Sequence, residues 1–314
     1  MFYTLRHVTR FRYSISISQS VMEVRMQPRT EGGQRCLSFN VAVTPNARVL
    51  NYRDFMGNTV HHFDIPARHR LLSIVTQAQV EVRSSTEVPD SLPGTSWDAL
   101  HNTEYDMLLP SRFTESTPLL EKLVTELDVR RRDDPLTLLR ELNQRIYEAF
   151  DYVPDSTHVH SPIDHALSTR GGVCQDFTHI MLALLRPLGI PARYVSGYLY
   201  AHNGGTRSSS GASHAWVEAE LPDLGWVGFD PTNNLIAGER HIRVAIGRDY
   251  ADVPPTRGVF KGSAETELSV SVRVTRADQP PTEDPPLPEH WATAVENEQP
   301  TPEEIFEHQQ QQQQ

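Results

Sequence analysis

Cysteine is scarce in this sequence. Only Cys36 and Cys174 occur in 314 residues, too few for the disulfide framework of a secreted scaffold, and a reducing, cytoplasmic setting fits better. Long apolar runs are missing too. No stretch approaches the ~18 consecutive apolar residues of a membrane helix, and the opening MFYTLRHVTRFRYS lacks the apolar segment of a secretory signal. No membrane partner is therefore expected. A basic surplus is also lacking: 29 Lys and Arg stand against 40 Asp and Glu, a net charge of -11, which argues against a general nucleic-acid binder. Neither a Walker pattern nor GxGxxG is present, so the glycines build no phosphate cradle, and no acidic loop of EF-hand type occurs.

What is present is uneven along the chain. Residues 277–314 hold nine acidic residues, seven prolines and a terminal Gln run but no Lys or Arg. Such a segment has too little apolar surface to pack, and it reads as a disordered acidic tail. Residues 1–95 read as a β-rich domain: short β-branched and aromatic runs alternate apolar and polar positions between turn formers, as in CLSFNVAVTP and LLSIVTQAQVEVRS. Residues 96–150 change to helical spacing and form a helical connection, with Asp133, Asp134 and Pro135 as a helix start. Residues 151–276 then carry one strong helix, from Cys174 with Phe177, Ile180, Met181, Leu184, Leu185 and Leu188 as its apolar stripe, followed by strands. This helix is predicted to end near Pro187 and Gly189.

Chemistry concentrates between Gly171 and Asp230. A Gly-Gly turn in TRGGVCQDFTHIMLALL delivers Cys174 to a helix N-terminus, where free N–H groups and the positive dipole end favour a thiolate and offer donors to an oxyanion. Downstream, in GASHAWVEAEL, His214 alternates with Trp216 and Glu218 on one strand face. After a turn at Pro222, Asp223 and Gly225, the strand GWVGFD ends in Asp230. A hairpin centred on Pro222 would set His214 directly opposite Asp230 and on the same face. A carboxylate there would hold one imidazole nitrogen while the other faces the thiol, the arrangement of nucleophile, base and orienting acid. Cys36 reads as a buried structural cysteine.

The strings GVCQDFTHIMLALLRPLGIPARYVSGYLY, SHAWVEAELP and GWVGFDPTNN resemble the core of the transglutaminase-like superfamily. The opening YTLRHVTRFRYSISISQSVMEVRMQPR resembles the β-rich N-terminal region of bacterial members described as transglutaminase-like or as cysteine proteases. The resemblance spans most of residues 1–250. It implies an α+β fold, with a papain-like transglutaminase core of nucleophile helix on antiparallel sheet and an N-terminal all-β domain. It also implies Cys174 as nucleophile, His214 as base and Asp230 as orienter, acting on a protein or peptide amide through a thioacyl-enzyme. Peptidase or amidase chemistry is favoured over amine transfer by a protein-glutamine transglutaminase, because no closed acceptor channel is evident in the sequence. No cofactor is required, and the calcium of some animal relatives is not carried over.

Other positions have weaker claims. Tyr152, Gln175 and Asp176 are candidates for oxyanion or supporting roles, and Asp176 and His179 fit structural hydrogen bonds near the helix start. Trp216 and Trp226 read as core or wall residues. The Gly- and Ser-rich stretch AHNGGTRSSSGAS reads as a flap leading into His214. Two rival readings remain: a noncatalytic binding module on the same fold, and a zinc-dependent hydrolase using His158, His160 and His165.

Overall fold

The computed structural model describes residues 1–83, 88–92, 97–100, 104–154, 156–201, 207, 211–277 and 279. The proposed flap falls largely on residues outside these, as does almost all of the acidic tail. Composition alone sets an expectation for the tail: deleting 280–314 should change the melting temperature by less than about 2 °C, as judged by calorimetry. A larger fall would mean that the tail contributes packed surface.

The N-terminal region forms five strands: β1 (Phe2–Val24), β2 (Gln34–Thr44), β3 (Leu50–Arg53), β4 (Thr59–Ile65) and β5 (His69–Val82). In the first half of β1, Tyr3, Leu5, His7 and Thr9 point inward at period two, as the sequence alternation requires. The strand is bent where its ladder with β5 shifts between Arg12 and Ile17 and where Gln19 takes a positive φ of 52°. The two halves of β1 therefore have different neighbours. Phe2–Arg12 pairs with β5, whereas Ser20–Val24 pairs with β4. This curls the sheet around a core that includes Tyr13, Ile17, Met22, Val24, Phe63, Leu72 and Ile74.

The middle of the chain supplies α1 (Pro118–Glu126), α2 (Pro135–Ala149), the short strand β6 (Asp151–Tyr152), α3 (Ile163–Thr169), the short strand β7 (Gly171–Gly172) and α4 (Cys174–Leu185). Asp134 caps α2 by accepting the Thr137 N–H at 2.9 Å, with Pro135 in the first turn. Every residue of α4 from Gln175 to Leu185 is buried, so this helix is central rather than amphipathic. A single 3₁₀ turn follows, and Gly189 ends it at φ 83°, a left-handed conformation that glycine adopts without strain. α4 packs on a second antiparallel sheet made of β8 (Ala192–Leu199), β9 (His214–Leu221), β10 (Gly225–Asp230), β11 (Leu235–Ile236) and β12 (His241–Gly247), in the order β11-β10-β9-β8-β12. Leu136, Leu139, Leu142 and Ile146 of α2 share one core with α4 and with Val217, Ala219 and Phe229 of the sheet. The stretch read as a helical connection is thus part of the core layer.

The last strands, β13 (Thr256–Lys261) and β14 (Thr266–Ala277), depart from the sequence reading, which kept residues up to 276 with the core. They pair instead with β1, β14 in unbroken register from Phe2↔Ala277 to Tyr13↔Thr266. β1 is a long inner strand that needs a partner on each side, and no local turn signal marks a partner so distant in sequence. The chain therefore leaves the N-terminal sheet, builds the helix-on-sheet core and returns.

The two sheets meet through apolar side chains: Tyr3, Leu5, Ala78 and Val80 pack with Tyr198, Ile242 and Val244. Side-chain amides also bind the backbone of β12, the edge strand of the core sheet. The Gln34 carboxamide accepts the Arg243 N–H and donates to the Arg243 carbonyl, both at 2.8 Å. Asn58 treats Ile246 the same way, at 2.9 and 2.8 Å. Each carboxamide stands in for a neighbouring strand and satisfies an edge N–H and C=O that burial would otherwise leave unpaired. No helix among the described residues is long and apolar enough to cross a membrane.

Candidate active site

The cysteine is placed by its helix start. β7 pairs with β6 in parallel, Tyr152 opposite Gly172, and the chain then turns through Val173 into α4. A Cβ on Gly172 would stand 2.8 Å from Asp176 Oδ2 and 2.9 Å from Asp176 Cβ, so only glycine leaves room for that carboxylate. Asp176 folds back to accept the Val173 N–H at 2.8 Å and the Thr157 hydroxyl at 2.6 Å. Burial raises its pKa against these two bonds. Its role is to brace the helix start, as the sequence suggested. The N–H groups of Asp176 and Phe177 bond to the Val173 carbonyl, while those of Cys174 and Gln175 belong to the first turn, where no intrahelical acceptor exists.

The supporting candidates are distributed differently from a single oxyanion cluster. Gln175 donates its side-chain amide to the Val159 carbonyl at 3.2 Å, tying down the preceding loop. Tyr152 is half-buried and packs against the core. His179 is fully buried, stacked 4.8 Å from Phe113, and accepts the Tyr250 N–H at 3.2 Å. Burial, aided by the Arg186 charge, lowers its pKa to about 3, so it is a neutral structural group. His158, His160 and His165 are exposed and lie outside the one histidine and carboxylate cluster found among the described residues.

His214 begins β9, opposite Gly197 of β8. The β9–β10 hairpin differs from the expected register. Leu221 and Gly225 close a three-residue turn of Pro222, Asp223 and Leu224, with Asp223 at φ 63° and Gly225 at φ 65°, so the centre is Asp223 rather than Pro222. Each partner moves by two positions. Because two is the period of a strand, the faces are unchanged: Asp230 falls across from Trp216, diagonal to His214 and on its side of the sheet. The side chains meet, His214 Nε2 lying 2.8 Å from Asp230 Oδ2.

Asp230 is completely buried and surrounded by donors. Its Oδ1 accepts the N–H groups of Thr232 (3.1 Å) and Asn233 (3.2 Å), and Oδ2 accepts Asn233 Nδ2 (2.8 Å), His214 Nε2 and His241 Nε2 (3.2 Å). Burial alone would raise its pKa, but His214 and then His241 hold it far below the usual carboxylate range. His214 shows the converse. Burial lowers its pKa, the charge and hydrogen bond of Asp230 overturn that effect, Cys174 adds to the rise, and the result is pushed up to about 10. The other ring nitrogen, Nδ1, is buried without a hydrogen-bond partner at standard geometry, and by elimination it is the one left for the half-buried Cys174.

Trp216 is wholly buried beneath His214 and against Gly197, where a Cβ would fall 2.7 Å from the indole and 2.1 Å from the Ile242 carbonyl. Glu218, further along the same face, is buried between Arg193 and Arg243, and the Arg193 guanidinium also covers Trp226 at 4.1 Å. The structure thus bonds His214 to Asp230, sets Cys174 near enough to influence His214, and uses Gln175 and Asp176 as braces. It adds two residues absent from the sequence reading, His241 and Asn233. Asn233, in DPTNN, could have been found as a turn residue close behind a buried carboxylate. His241 opens HIRVAIG with no motif around it.

Comparison with known proteins agrees with this architecture. Residues 3–81 match the bacterial transglutaminase-like N-terminal region and residues 122–231 the transglutaminase-like superfamily. An uncharacterised Mycobacterium leprae protein is 32% identical over 277 residues, covering 86% of this chain and 97% of that one. A crystal structure from Cytophaga hutchinsonii, provisionally described as a cysteine protease, superposes with a TM-score of 0.68 at 22% identity, over 90% of this chain and 94% of that one, which supports the fold. A protein-glutamine gamma-glutamyltransferase of Pseudomonas aeruginosa is 37% identical over 117 residues, or 34% of this chain and 17% of that protein. With these matches and a buried His–Asp pair facing a helix-start cysteine, the chain belongs to the transglutaminase-like superfamily, in its bacterial form with an N-terminal β region.

Proposed function

We propose that the protein is a thiol enzyme that breaks an amide bond of a protein or peptide through a thioacyl intermediate, with Cys174 as nucleophile, His214 as acid and base, and Asp230 as orienter. The observation that carries this reading is the His214 Nε2–Asp230 Oδ2 bond of 2.8 Å, which leaves the opposite ring nitrogen to the cysteine. In the first half-reaction the Cys174 thiolate attacks the carbonyl carbon, and the resulting oxyanion is received by the free N–H groups of the first turn of α4. Collapse expels the amine, which takes its proton from the His214 imidazolium. Neutral His214 then removes a proton from the incoming acceptor as it attacks the thioester, and the thiolate leaves.

Water as acceptor gives hydrolysis, the reading favoured here. A primary amine would give transfer, a second reading supported by the Pseudomonas aeruginosa relative. Incubation with a peptide library and a primary amine, followed by mass spectrometry, separates them. Shortened or deamidated peptides are expected; amine adducts in their place would favour transfer, and no product of any kind would defeat the proposal.

The mechanism needs a proton on His214, and its pKa of about 10 sets where that proton is lost. A raised pKa means that the folded state favours the imidazolium. This contribution to stability is full below the ordinary histidine value of about 6.5 and fades as pH rises through about 10. Turnover should therefore hold through pH 8 to 9 and fall near 10. An alkaline limb near pH 7 would show that the ion pair does not form.

A further inference from the structure

His241 takes no part in the scheme above, yet it is buried against the same carboxylate oxygen as His214. Its two nitrogens have different partners. Nδ1 accepts the Gly238 N–H at 3.3 Å, so that nitrogen carries no proton, and Nε2 points at Asp230 Oδ2 at 3.2 Å. A neutral imidazole with a bare Nδ1 has its hydrogen on Nε2, which makes His241 a donor to Asp230. The same tautomer bears on metal binding. The ligand atoms of His214, Asp230 and His241 lie within 4.8 Å of one another, as a metal site would need, but a protonated Nε2 has no lone pair to give. The donor set fits a hydrogen-bond relay better than a cation.

We infer that His241 is a positioning residue that acts through Asp230 to temper the proton affinity of His214. The inference rests on the thiol chemistry proposed above. A neutral donor on a carboxylate oxygen lowers the proton affinity of that oxygen and so weakens its hold on the neighbouring imidazolium. A general acid held too tightly surrenders its proton slowly to the leaving amine, so this tempering favours turnover. Orientation of Asp230 does not depend on His241, because Thr232, Asn233 and His214 still grip both oxygens without it. The charged and titratable groups facing the pair are Asp230 on β10, His214 on β9, Cys174 on α4 and Arg240 just before β12. Burial, the first of the influences on His241, lowers its pKa and keeps it in the neutral, donating form.

The test is an NMR titration of the full chain carrying labelled histidine, with iodoacetamide labelling of Cys174 as a parallel check. In the wild type, His241 should be observed as the tautomer protonated on Nε2. His241→Leu should move the His214 midpoint upward by roughly half a pH unit or more, a part of the worth of one hydrogen bond to a charged group passed on through Asp230. His241→Gln, which restores a donor, should bring the midpoint back. A merely structural role would lower stability without moving the midpoint. A proton on His241 Nδ1 in the wild type, an unmoved midpoint in His241→Leu, or a Gln variant no different from Leu would each overturn the inference. Wild-type Cys174 that reacts with iodoacetamide no faster than Cys36 would instead sink the thiol reading itself, an outcome distinct from a reactive Cys174 with an unmoved midpoint.

Discussion

Replacing Cys174 by alanine should reduce turnover by about a million-fold while leaving the melting temperature near that of the wild type. The size of the effect follows from the role. A nucleophile has no substitute within its own site, and members of such a unit cost nearly as much singly as together. The small effect on stability follows from the surroundings. Cys174 is only half-buried, and the start of α4 is held by Asp176 and by the fit of Gly172 rather than by sulfur. Cys36 provides the control. Burial pushes its thiol up to about 11, and it lies on β2 of the other sheet, so Cys36→Ser should retain activity. Kinetics and calorimetry on the two variants decide the matter: an active Cys174→Ala protein, or silence from Cys36→Ser, removes the thiol mechanism.

Asp230→Asn should lower turnover by roughly four orders of magnitude, as loss of the orienting carboxylate does in a triad. The five groups around Asp230 explain why an isosteric change is so damaging. All five are donors, directed at both oxygens. An asparagine must turn its own NH₂ toward one of these sets. If it faces the histidines, His214 can no longer donate from Nε2, its proton shifts to Nδ1, and the nitrogen meant for the thiol is occupied. If it faces Thr232 and Asn233, two backbone N–H groups, that of buried Thr232 among them, lose their acceptor. Either way a stability cost of about 1–3 kcal/mol accompanies the kinetic loss, and the protein remains folded. An Asp230→Asn enzyme with the wild-type rate would show that His214 is oriented by something else.

Much of this site could be read from the sequence, for reasons visible in particular residues. The α4 stripe was legible because helix period is local, whereas Gly171 and Gly172, read as a turn, form β7 instead, with glycine needed at 172 by the close approach of Asp176. His214 and Asp230 were placed on one face correctly even though the turn centre was off by one residue, since a two-position slip preserves the parity of a strand. The braces Thr157 and Val159 were not legible, because a loop gives no period from which to project a partner. His241 was missed because its importance lies in a contact across the sheet to Asp230, and a lone histidine at a strand start carries no signal of that kind. Least visible were the amide bonds from Gln34 and Asn58 to β12 and the return of β14 to β1, contacts between residues some two hundred positions apart or more.

That return has a consequence for how the protein is made. β1 leaves the ribosome well before its partner β14, which begins at Thr266. At the usual rates of synthesis, the interval is roughly 10 to 50 seconds. Once β5 is made, the first half of β1 has it on one flank and an open row of amides and carbonyls on the other, the exposed border that invites wrong pairing between nascent chains. Arg6, Arg10 and Arg12 fall at even positions and share the face of β1 opposite Tyr3, Leu5 and His7, and repulsion between like-charged copies disfavours such pairing until β14 arrives. The long return of the chain thus leaves one border of β1 to be closed last, and its arginines stand where they disfavour pairing between copies until then.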